Sequence, residues 1–187
     1  MERKHRVRVL GAGVLAALLV AGGMSAANAS DSGAKSVPIL ARQVSQAKPL
    51  NLPGGMGKIT SNTWRSGESY SGNTVQWNYQ VSAVYSGSKD VQRIRTTWTG
   101  SASMRNGGSL SLGLSTTGVT VGGSSSWQSV SQTGYWENTK GQKTSSWRSN
   151  LVVSPSRDYR DGTVAVTNTA LVKLKVDART FSVTSGV

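Results

Sequence analysis

SLSLGLSTTGVTVGGSSSWQSVS, residues 109–131, is the stretch whose reading decides the fold. Leu110, Leu112 and Leu114 alternate with small or polar residues in a first run, and Val119 and Val121 alternate in a second. A period of two places each apolar set on one face of a β-strand, and the Ser-Thr-Thr-Gly between the runs supplies a turn, so the stretch predicts a β-hairpin. One face is apolar and the other only weakly polar. Such a hairpin suits the centre of a water-soluble sheet, or, as the alternative, insertion into a membrane.

The same period extends on both sides. Upstream, Val75, Trp77, Tyr79, Val81, Ala83 and Tyr85 alternate with Gln76, Asn78, Gln80 and Ser82, and Ile94, Thr96, Trp98, Ala102 and Met104 oppose Arg93, Arg95, Thr97 and Thr99. Ile59 to Trp64 is a shorter candidate. Downstream, Trp127 to Trp136, Lys143 to Val153, Val164 to Val176 and Phe181 to Val183 continue the pattern. Turn sequences rich in Gly, Asn, Asp and Ser separate these runs, and no segment carries a helical period. About eight strands without helices for parallel crossovers predict an all-β fold, an antiparallel β-sandwich or an elongated twisted sheet.

The N-terminal residues read differently. Arg3, Lys4, Arg6 and Arg8 precede an apolar run from Val9 to Met24 that ends in Ala27-Asn28-Ala29, the pattern of a secretory signal peptide over residues 1–29. A secreted location is therefore expected. Residues 30–57 carry Pro38, Pro49 and Pro53 and the Gly54-Gly55 pair, which predicts an extended or disordered arm ahead of a β domain over residues 58–187. The arm's apolar and basic residues Pro38, Ile39, Leu40, Arg42, Val44, Leu50 and Leu52 are the candidates for docking into a partner.

Composition narrows the chemistry. There is no cysteine, and the only histidine, His5, lies in the leader. Beyond residue 29 the chain therefore lacks the side chains for Ser-His-Asp or Cys-His catalysis and for His- or Cys-ligated metals. The remaining acids, Asp31, Glu68, Asp90, Glu137, Asp158, Asp161 and Asp177, sit in turn-like or polar stretches, often beside Lys or Arg, which is a poor setting for paired carboxylate chemistry. No catalytic residue, metal site or cofactor is expected.

Charge points to binding. Of 21 Lys and Arg and 8 Asp and Glu, the leader holds four and one, leaving 17 against 7, or +10, on residues 30–187. Such a field draws a protein toward polyanions. Trp64, Trp127 and Trp136 have polar neighbours and, with Arg93 and Arg95, are the candidate surface contacts, whereas Trp77, Trp98 and Trp147 belong with apolar strand neighbours in a core.

Three functions compete. The leading expectation is a non-enzymatic protein-interaction or adaptor module whose arm docks into another secreted protein. The second is a pore-forming or membrane-active toxin using Leu110, Leu112, Leu114, Val119 and Val121; its apolar band is short for a membrane strand of about nine to eleven residues. The third is a cell-wall polyanion or carbohydrate-binding domain. Nucleic acid is disfavoured as a partner because the arginines form no stripe. The leader and the Ser/Thr/Gly-rich strands together resemble small secreted β-rich proteins of high-GC Gram-positive bacteria. That resemblance implies a setting among adaptor-type subunits of secreted antibacterial toxin particles.

Overall fold

The structure, a computed structural model, describes residues 43–105, 108–113 and 127–187. The expected signal segment, the arm residues Pro38, Ile39, Leu40 and Arg42, and the hairpin residues Leu114, Val119 and Val121 lie outside the described residues.

Ten strands form two antiparallel sheets among the described residues. They are β1 (Val44–Asn51), β2 (Lys58–Arg65), β3 (Ser69–Ser71), β4 (Thr74–Ser86), β5 (Val91–Met104), β6 (Ser109–Ser111), β7 (Gln128–Asn138), β8 (Thr144–Ser154), β9 (Ala165–Leu174) and β10 (Thr180–Gly186). The six-stranded sheet runs β1-β2-β4-β8-β6, with β3 paired to β4; the four-stranded sheet runs β10-β9-β5-β7. The all-β, antiparallel expectation holds.

The alternation read in β4 and β5 is the inner surface of the sandwich. Val75, Trp77, Tyr79, Val81, Ala83 and Tyr85 are all buried, as are Ile94, Thr96, Trp98, Ala102 and Met104. A shift of register between Val91 and Arg93 explains why Val91 and Ile94, three residues apart, are both buried. The core falls into two clusters, one around Trp77, Trp98, Leu110, Leu112 and Leu151, the other around Ile59, Tyr85, Ile94, Val172 and Leu174.

Polar groups lie between the sheets alongside these clusters. The two amide hydrogens on Nδ2 of Asn168 in β9 are shared among Ser61 Oγ at 3.0 Å, Asn62 O at 3.1 Å and Ser82 O at 2.9 Å, and its Oδ1 accepts from Thr96 Oγ1 at 2.6 Å. Ser61 Oγ donates to Asn168 O at 2.8 Å. That bond uses the Ser61 proton, so Ser185 must donate to Ser61 and Thr63 to Ser185, over 2.9 and 2.6 Å. The chain of donors runs one way, from Thr63 through Ser185 and Ser61 to the β9 backbone.

Four sequence expectations change. The sequence places Val44, Leu50 and Leu52 in an arm ending at Gly57, but β1 pairs along its whole length with β2 and Leu52 is buried, so residues 44–57 belong to the β domain. The edge of an existing sheet orders a proline-bearing segment that has no strong period of its own. Leu110 and Leu112 were the outward band of the membrane-hairpin reading; both are fully buried, and β6 pairs with β8. Tyr79 donates to Leu112 O at 2.8 Å and Gln132 Oε1 accepts from Leu112 N at 2.9 Å, which fixes this segment in the core. Trp147 packs only partly buried against the core. Val176, read into the last long strand, is exposed beyond the end of β9.

Candidate functional site

The outer face of the four-stranded sheet gathers the basic residues singled out in β5. Alternation turns Arg93, Arg95, Thr97 and Thr99 away from the core. Register then sets their neighbours: Lys173 of β9 lies opposite Arg93, Glu137 of β7 opposite Arg95, and Tyr135 opposite Thr97. Three cations thus share a patch with one carboxylate. Arg95 Nε donates to Glu137 Oε2 at 2.7 Å, and the Arg93 Nε lies 3.9 Å from the same oxygen, an ion pair too long for a hydrogen bond. Lys173 makes no ion pair among the described residues. The Arg95 guanidinium also lies 4.7 Å from the centre of the Tyr135 ring, which is 63% exposed.

A groove of about 430 Å³ runs here between Gln92, Arg93, Glu137, Thr139 and Lys173. Away from the charges the face becomes a field of hydroxyls. Thr99 and Thr133 are hydrogen-bonded at 2.8 Å, Thr169 and Thr184 at 2.9 Å. The face presents cations at one end and uncharged donors and acceptors along the rest.

The three tryptophans expected at the surface lie in different places. Trp64 is half-buried on the outer face of the six-stranded sheet, in a row with Ser45, Gln80 and Arg148. Trp127 has two guanidiniums over its ring, Arg105 at 4.9 Å and Arg160 at 5.8 Å. Trp136 is 46% exposed and leans on Trp147, which stacks on buried Trp98; both pairs have ring centres 5.6 Å apart. Trp98 Nε1 in turn donates to the Tyr79 hydroxyl at 2.9 Å. Trp136 is therefore the outer end of an aromatic ladder rooted in the core. The structure brings Arg93 and Arg95 together but does not assemble Trp64, Trp127 and Trp136 into one site. Lys173, Tyr135 and the role of Glu137 were missed, because strand alternation carries no signal for which strand lies alongside.

The acids are engaged by the fold. Glu137 is in β7, not in the expected turn, and serves the arginines. Glu68 accepts hydrogen bonds from Tyr70 at 3.1 Å and Tyr159 at 3.2 Å, while Tyr159 packs edge-on against Trp77 with ring centres 5.1 Å apart. Loss of water around the ring first, largest at the buried Tyr159, and then the Glu68 carboxylate push both phenols up. Both hydroxyls stay protonated as donors to Glu68, which makes the cluster a clamp between the loops after β2 and β8. Burial likewise lowers the guanidinium of neighbouring Arg65, against the charge of Glu68. Asp177 is held at about 2 by its hydrogen bonds from Arg179. No group of three or more His, Cys, Asp or Glu side chains that could hold a metal ion occurs among the described residues. No protein-family model matches the chain, and no curated protein is significantly similar to it in sequence.

Proposed function

We propose that this chain is a secreted, non-enzymatic binding module that attaches to an anionic sugar polymer of a cell surface. The observation that carries the reading is the patch of Arg93, Arg95 and Lys173 around a single Glu137 on an otherwise hydroxyl-rich sheet face. Each guanidinium offers a planar fork to phosphate or carboxylate, Lys173 adds a mobile point charge, and the threonine rows offer hydrogen bonds to the polymer's hydroxyls. The +10 charge of residues 30–187 adds long-range attraction that salt screens.

The test is co-sedimentation with purified Gram-positive cell walls before and after chemical removal of teichoic acid. Arg93→Ala combined with Lys173→Ala is expected to weaken binding by about tenfold at 50 mM salt, and removing the polymer by at least as much. Both substitutions are on the outer face and leave the core untouched. Equal binding by the double variant, or by stripped walls, would refute this reading.

A second reading, an adaptor for another secreted protein, draws on β1. It is an edge strand whose far side has no strand partner among the described residues, and residues 30–43 lead directly into it. A partner strand would pair with the part of β1 before Pro49, where the backbone donors are intact. Deleting residues 30–42 is then expected to abolish capture of one specific protein from culture supernatant, and an unchanged profile of captured proteins would exclude it.

A further inference from the structure

We propose that the opposite face of the sandwich carries a separate site, a groove for an uncharged pyranose sugar built on Trp64. The outward residues of β2 are Thr60, Asn62 and Trp64, because Ile59, Ser61 and Thr63 turn inward and are buried. Register places Ser45 and Gln80 on either side of Trp64, and Ala47 and Ser82 on either side of Asn62. Small side chains therefore border a large ring, and the space beside it stays open. A groove of about 360 Å³ results, bordered by Gln46, Ala47, Asn62, Trp64, Gln80 and Ser82. That volume lies within the range of small-ligand sites.

The polar groups bordering this groove are already oriented. Arg148 donates to Gln80 Oε1, from Nε at 3.1 Å and also from Nη2, so the Gln80 amide must present its Nε2 donors elsewhere. Asn62 Nδ2 donates to Ser82 Oγ at 3.0 Å, which leaves Asn62 Oδ1 as an acceptor. Gln80 Nε2 and Asn62 Oδ1 make no hydrogen bond among the described residues, and Trp64 makes no ring or cation contact there. An apolar indole face beside one fixed donor and one fixed acceptor matches the C–H face and neighbouring hydroxyls of a pyranose, each hydroxyl giving and taking a hydrogen bond. Arg148, the cation in this row, directs its guanidinium at Gln80 and is not among the residues that line the groove, all of which are uncharged, so the lining suits an uncharged ring.

Behind the groove the backbone is braced. Asn62 O and Ser82 O, which belong to the strands that form its floor, both accept from Asn168 in the core. The site thus rests on rigid sheet, and little ordering is needed on binding.

The experiment is retention of the full chain on four neutral polysaccharides, cellulose, chitin, xylan and mannan, at 0.5 M NaCl, where the cationic face is screened. Retention on at least one is expected, with Trp64→Ala reducing it tenfold or more and Gln80→Ala three- to tenfold. Far-UV circular dichroism checks that Trp64→Ala folds, and Gln80→Ala, a surface change, tests the groove if it does not. Arg93→Ala with Lys173→Ala should leave retention unchanged, so this site and the cationic one succeed or fail separately. Retention on none of the four, or wild-type retention by Trp64→Ala and Gln80→Ala, would overturn the proposal.

Discussion

Replacing Asn168 with leucine tests whether the buried polar network ties the two sheets together. Leucine is close in shape, so the change removes the hydrogen bond from Thr96 and the two amide hydrogens shared among Ser61, Asn62 and Ser82, while opening little space. At about 1 kcal/mol net for each of these three hydrogens they contribute about 3 kcal/mol, and the stranded Thr96 hydroxyl adds about 2 kcal/mol more. Burying the extra apolar surface of leucine returns about 2 kcal/mol. The expected loss is about 3 kcal/mol, a large fraction of the roughly 5–15 kcal/mol that stabilises a typical domain. Thermal denaturation should show the midpoint falling by roughly 10 °C for a chain of this size.

Asn168→Asp sharpens the test. It places a carboxylate against the carbonyl oxygens of Asn62 and Ser82, so burial and repulsion raise its pKa in the folded state above the unfolded value. A group with a raised folded pKa supports stability below its unfolded pKa, near 4, and loses that support as pH rises through the folded pKa. The aspartate variant should therefore come closest to wild type at acid pH and be weakest at neutrality. Wild-type melting of Asn168→Leu, or a pH profile of Asn168→Asp identical to that of wild type, would refute the network as the tie between the sheets.

Tyr79 predicts the alkaline limit of the fold. Burial raises its phenol to about 12, and as the neutral form it donates to Leu112 O; stability tied to that proton is complete below about pH 10 and is lost between pH 10 and about 12. Tyr79→Phe should cost about 2 kcal/mol in urea denaturation at pH 7, by stranding Leu112 O and Trp98 Nε1, and should flatten the alkaline decline. At Gly100 an added Cβ would meet Leu112 Cδ2 and come within 2.8 Å of Leu151 Cδ1. Gly100→Ala is expected to destabilise by about 1–3 kcal/mol through overpacking, read as a lower urea midpoint at unchanged slope.

The alternation from Val75 to Tyr85 and from Ile94 to Met104 reports directly which side of a strand each residue takes, since successive side chains point to opposite faces. The all-β class, the buried faces of β4 and β5, and the outward turn of Arg93 and Arg95 were legible for that reason. Which strands lie side by side was not. Pairing depends on contacts between residues far apart in the chain, so the arrival of Lys173 beside Arg93 and Glu137 beside Arg95 had no local signature. The same holds for β1, an irregular, proline-bearing segment made a strand by the edge it joins, and for Asn168, the polar member of the otherwise apolar inward face of β9, whose partners come from β2, β4 and β5. Local periodicity determined the faces; only the packing of one sheet on the other, and the register within each, decided which residues share them.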